Sequence, residues 1–137
     1  MTEYSLDTNA CIALISGRAL AVRERLRAGV EAGDSLGVSS IVVLELRYGS
    51  AKSQFPEASN ARLDAFLAGP VAVLPFDEND AADAGAARAS LERVGTPVGA
   101  YDLLIAGQAR HRGLTLVTAN SREFSRVQDL AWDDWAG

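Results

Sequence analysis

The sequence predicts an α/β domain with a mainly parallel central sheet of about five strands. Short apolar runs alternate with longer helical stretches from end to end, and capping or stop residues sit at the junctions. Polar side chains able to bind a cation recur where strands end, the edge at which open parallel sheets place their ligand crevice.

In chain order, the first strand is Glu3 to Leu6, followed by Asp7 and by Thr8-Asn9, both good caps for a helix from Asn9 to Ile15. A second helix is expected over Leu20 to Ala32, and a buried strand over Leu36 to Val38. Ser39-Ser40 ahead of Ile41 starts a helix that reaches Ala51. Lys52 to Pro56 reads as a turn, and Ala58 to Leu67 as the next helix. Val71 to Leu74 makes a third strand, and Asn79-Asp80 opens an alanine-rich helix to Arg93 whose Asp83 and Arg88 mark a solvated face. Pro97 precedes a helix from Ala100 to Arg112, Leu114 to Val117 forms the fourth strand, and Leu130 to Trp132 a weak fifth. Gly33, Gly69, Gly95 and Gly113 are the stop signals.

At 137 residues the chain fits a single domain, 1–137. The opening Met1 to Leu6 has neither the positive charge nor the apolar length of a signal peptide, and no apolar run approaches a membrane span of about 18 residues, so a cytoplasmic protein is expected. One cysteine, Cys11, excludes an internal disulfide and a cysteine-based zinc site; it reads as a small buried apolar residue. Net charge is -5, so a polyanion must be met locally. Twelve of the thirteen cations are arginine and Lys52 is the only lysine, which weakens mechanisms built on an active-site lysine.

Four residues carry the chemistry: Asp7, Glu45, Asp102 and Asn120. Asp7 and Asn120 follow strands expected to be parallel, Asp102 lies in the first turns of its helix, and Glu45 has Ile41, Val42, Tyr48 and Gly49 at helical spacing, which turns its stem toward the core. Two unit charges about 4 Å apart repel by roughly 4 kcal/mol at an effective dielectric of 20. Grouped carboxylates therefore share protons or hold a cation. Hard oxygen ligands suit Mg²⁺ or Mn²⁺, and metal-assisted hydrolysis of a phosphodiester is the chemistry such a pocket supports. Taken singly, Asp7 is equally a helix cap, Asp102 a favourable charge at a helix N-terminus, and Glu45 an arginine's partner.

Several blocks resemble the PIN domain, and within it the VapC-type ribonuclease toxins. They are Leu6 to Ile12, Val22 to Leu26 (Val-Arg-Glu-Arg-Leu), Ser39 to Gly49, Ala51 to Gln54, Arg88 to Gly107, Leu116 to Val127, and Asp133 to Trp135. The resemblance implies a three-layer α/β/α fold and a metal-dependent endoribonuclease in which Asp7, Glu45 and Asp102 hold Mg²⁺ or Mn²⁺. It places Asn120 where many PIN domains carry a fourth acid, so a neutral amide stands there. Thr8, Ser39 and Thr118 are expected to orient carboxylates or waters, although each is equally a capping or turn hydroxyl.

The resemblance further implies a VapB-like antitoxin whose tail enters the acidic groove, a homodimer, operator DNA reached only through the antitoxin, and no membrane. Transfer RNA is the leading substrate, with initiator transfer RNA as the specific expectation. Arg47, Lys52, Arg110, Arg112, Arg122 and Arg126 are candidate phosphate contacts, and Tyr48 and Tyr101 are assigned to the core.

Two other enzyme classes fit the sequence less well. An aspartyl-phosphate enzyme wants a well-placed lysine, and phosphatases of that type an acid where this chain has Asn9; a nucleophilic hydrolase would have to rely on His111, the only histidine. The alternative kept beside the nuclease is a catalytically weakened PIN-like module that binds RNA or antitoxin without cutting, an option Asn120 keeps open.

Overall fold

The computed structural model describes residues 1–136. Five strands form one sheet in the order β3-β2-β1-β4-β5, and every neighbouring pair is parallel. The strands are β1 (Glu3–Leu6), β2 (Ser35–Ser39), β3 (Ala72–Leu74), β4 (Thr115–Val117) and β5 (Trp132–Asp133). Seven helices connect them: α1 (Thr8–Ser16), α2 (Leu20–Glu31), α3 (Ser40–Ala51), α4 (Pro56–Leu67), α5 (Glu78–Arg93), α6 (Ala100–Arg112) and α7 (Ser121–Phe124). The central strand β1 is flanked on both sides, so Ser5 and Leu6 are buried; beside them Leu36, Val38, Leu116 and Val117 join Val42, Leu46, Ile105, Ala106 and Phe124 in the core.

Most boundaries fall within a residue of expectation, and three differences are informative. The alanine-rich helix starts at Glu78 because Asp77 and Asp80 form a capping box, each carboxylate accepting the other's backbone N–H at 2.9 Å. Helix α4 starts at Pro56, whose missing N–H costs nothing in a first turn. The last strand lies two residues later than expected, and the single turn α7 is too short to leave a periodic signal. Gly69 does not serve as a left-handed stop, unlike Gly33, Gly95 and Gly113. Among the described residues, no helix is long and apolar enough to cross a membrane.

Candidate metal centre

The carboxyl edge of the sheet gathers the acidic side chains. Asp7 follows β1 and caps α1: its backbone is extended, its Oδ1 accepts the Ala10 N–H at 2.8 Å, and it is only 4% exposed. Burial is the main force raising its pKa, opposed by hydrogen bonds from the Thr118 side chain and the Ala10 backbone. Glu45 projects from α3 toward the same edge and accepts the Thr8 hydroxyl at 2.6 Å. Asp102, in the first turn of α6, completes the group. Its pKa is pushed up to about 7, first by burial, then by the neighbouring Glu123 carboxylate, and then by Glu45 and Asp7.

Glu123, absent from the sequence-based set, supplies a fourth carboxylate. It accepts the Gly99 N–H at 2.6 Å and the Asn120 side-chain amide at 2.7 Å, and shares a hydrogen bond with Asp102. The Gly99 hydrogen bond is the main reason its own pKa lies below the usual range. Asp102 is therefore the carboxyl that carries the shared proton. Asn120 thus buttresses an acid, and a negative charge enters the pocket three residues later, at Glu123. The i, i+3 spacing of Asn120 and Glu123 after a strand was the available signal. Asp134, just past β5, lies close enough to Asp7 to raise its pKa as well.

Thr8 and Thr118 touch carboxylates, Glu45 and Asp7 respectively. Ser39 does not: fully buried, it caps α3 by accepting the Ile41 N–H at 3.1 Å. The expected phosphate contacts divide similarly. Arg112 donates to the fully buried Asp80 through both Nε and Nη2 and to the Pro75 carbonyl; Arg110 pairs with Asp83 at 2.6 Å and with the Gln128 carbonyl. These two arginines are thus engaged within the fold, eight and ten residues of helix at about 1.5 Å each, some 12 to 15 Å, beyond Asp102. Arg47 is occupied by Asn60 and Asp64 on α4. Arg126 holds the Pro97 carbonyl beside Glu123, Arg122 is exposed, and Lys52 lies over the Tyr48 ring. Tyr48 and Tyr101 are 63% and 48% exposed, so neither packs in the core as expected.

The PIN-domain profile matches residues 4–130, and the tRNA(fMet)-specific endonuclease VapC of Shigella flexneri is 43% identical over 136 residues, spanning 99% of this chain and 100% of the relative. The chain belongs to the PIN-domain family, in its VapC branch. VapBC2 from Rickettsia felis bound to a DNA fragment from its promoter superposes with a TM-score of 0.92 at 34% identity, covering 98% of this chain and 99% of that one. DNA-bound VapBC from Salmonella typhimurium gives 0.91 at 41% identity, with the same coverage.

PIN-domain nucleases are generally dependent on a divalent metal, and the donors of this PIN domain fit one. Among the described residues, no three acids close into a ready-made ligand shell. A hard divalent ion such as Mg²⁺ keeps several waters and takes only one or two carboxylates, so a complete shell of protein ligands is not required of the site. Burial, and after it the facing Glu123, Glu45 and Asp7 carboxylates, disfavour the charged form of Asp102, a penalty that a bound cation would relieve.

Proposed function

We propose that residues 1–137 form one PIN domain acting as a Mg²⁺-dependent endoribonuclease, the toxin of a toxin-antitoxin pair in the cytoplasm, with transfer RNA as substrate and initiator transfer RNA as the specific target. The observation that carries this reading is the convergence of Asp7, Glu45, Asp102 and Glu123 at one sheet edge, where burial first and the neighbouring carboxylates second raise Asp102 to about 7. Asp7, Glu45 and Asp102 would hold the cation, with Mn²⁺ as its substitute. When bound, it would draw in a phosphodiester and favour an attacking water.

The protein's own residues do the arranging. The Ala10 N–H and the Thr118 hydroxyl hold the Asp7 carboxylate, and Thr8 holds Glu45. Glu123, fixed between Gly99 and Asn120, takes the hydrogen bond of the protonated Asp102; when that proton leaves, the two carboxylates repel and only a cation would hold them side by side. Leu6, Val117 and Phe124, the chain neighbours of Asp7, Thr118 and Glu123, are buried and anchor these residues to the core.

A VapB-like antitoxin is the partner, and operator DNA is reached through it. An apolar groove of about 310 Å³, lined by Ile12, Ile15, Leu46 and Leu63, opens directly onto Glu45 and offers a seat for an antitoxin segment. A cation carried by that segment would satisfy the carboxylates in place of metal. The toxin itself pairs as a homodimer. With Glu123 in place, the non-cutting alternative loses the missing charge that motivated it.

The test is direct. Purified protein incubated with labelled transfer RNA and Mg²⁺ is expected to yield discrete fragments on a denaturing gel, blocked by chelator and by Asp7→Asn. An RNA shifted on a native gel but never shortened in Mg²⁺ or Mn²⁺ would overturn the reading in favour of a binding module.

A further inference from the structure

Two sequence blocks supply no ligand to the metal centre, Val22 to Leu26 on α2 and Asp133 to Trp135 at the end of β5, and the fold brings them together. Arg25 Nη2 forms an ion pair with Asp133 Oδ2 at 2.9 Å, and its guanidinium lies 5.7 Å from the centre of the Trp135 ring. Trp135 is in turn buried edge-on against Tyr4. Asp133 ends β5 at the carboxyl edge, where its carbonyl accepts the Thr118 N–H at 3.0 Å. Arg25 is thereby fixed on the same rim as the acids.

The direction of α2 determines where its other arginines stand. Farther along, Gly29 lies against Asp34 and Leu36, where β2 begins, so from Arg25 onward the helix descends toward the amino edge. The start of α2, carrying Arg23 with Arg18 just before it, therefore lies toward the carboxyl end of the sheet. Arg23 is folded over Gly17, where any added Cβ would collide with its guanidinium. Arg18, Arg23 and Arg25 are exposed, and among the described residues only Arg25 has an acidic partner. The α1–α2 hairpin carries four arginines against two glutamates in a chain of net charge -5. Elsewhere Arg47, Arg110 and Arg112 are already taken by Asp64, Asp83 and Asp80.

We propose that Arg18, Arg23 and Arg25 form the track that grips the RNA backbone as it enters the carboxylate crevice, with Asp133 and Trp135 holding the Arg25 fork in place. This inference rests on the ribonuclease reading. Exposed guanidinium groups beside an acidic centre supply the local positive potential that a polyanion needs in order to approach it. Such contacts give affinity and register without reading sequence.

The test measures RNA binding in the full-length Asp7→Asn protein by fluorescence anisotropy, with a labelled anticodon stem-loop RNA over a range of NaCl concentrations. Each phosphate contact on single-stranded RNA contributes about 0.7 to the slope of log affinity against log salt. Adding R18A, R23A and R25A is expected to flatten that slope by about 2 and to weaken binding roughly tenfold or more near physiological salt. In the Asp7 background, R25A alone is expected to raise KM while leaving kcat within about twofold, as loss of ground-state binding does. R88A, on the exposed face of α5, serves as control and should change neither quantity. An unchanged slope in a triple variant of wild-type circular dichroism and melting temperature would overturn the proposal, as would loss of antitoxin binding with RNA affinity retained. A parent Asp7→Asn protein that binds no RNA at any salt would remove the ribonuclease reading and this inference together.

Discussion

Replacing Glu123 by Gln probes the charge balance of the crevice while leaving Asp7, Glu45 and Asp102 in place. Asp102 sits near pH 7 first because it is buried and next because the Glu123 carboxylate faces it. At about 4 Å and an effective dielectric of 20, that repulsion is worth up to about 4 kcal/mol, or roughly 3 pH units. Solvent reaches a partly exposed pair, so about one unit is the expected fall in the Asp102 midpoint. The assay follows the Asp102 carboxyl carbon by NMR in metal-free protein. A wild-type midpoint near 7 and a variant midpoint near 6 are expected; a wild-type midpoint near 4, or one unmoved by E123Q, would refute the electrostatic reasoning. Stability follows with a definite sign. Between about pH 4 and 7 the folded chain holds a proton on Asp102 that the unfolded chain has released, so this contribution is present at low pH and is lost as pH rises through 7. Divalent metal competes for the same group, and uptake should weaken about tenfold per pH unit below 7.

Three further outcomes follow from the structure. Arg112→Ala leaves the fully buried Asp80 without its charge partner and is expected to cost about 3 to 5 kcal/mol in urea unfolding; a loss below 1 kcal/mol would contradict the clamp. Burial alone would raise the Asp80 pKa, but hydrogen bonds from Arg112, the Asp77 backbone and Gln108 hold it below its ordinary value, so its stabilisation is lost only as pH falls below about 4. Gly107→Ala places a Cβ 2.7 Å from the Ala84 backbone where α5 and α6 cross, and should destabilise by about 1 to 3 kcal/mol in the same measurement. His111→Ala removes an exposed side chain at the far end of α6 and should leave RNA cleavage within about twofold.

Much of this molecule was legible because local signals and tertiary demands agree. Asp7 reads as a cap at a strand end, and the fold uses it as one. Ser39-Ser40 reads as a helix start, and α3 begins there. What escaped depends on long-range partners. Glu123 looks like an ordinary surface acid until Gly99 and Asp102 are brought to it from the α6 side. Arg110 and Arg112 look like free cations near a ligand-bearing helix until α5 supplies Asp83 and Asp80. Tyr48 fits a core position by helical spacing from Glu45, yet α3 buries Val42 and Leu46 and leaves Tyr48 facing out beside Lys52. Periodicity gives a face of a helix, and only packing decides which face is covered.

The most direct measurement is anomalous diffraction from crystals of the full-length protein grown with Mn²⁺. A manganese peak among the Asp7, Glu45 and Asp102 carboxylates, abolished in crystals of Asp7→Asn, is the expected result. A peak at other residues, or no peak there at a Mn²⁺ concentration that supports cleavage in solution, would contradict the claim that these acids converge to hold the catalytic cation.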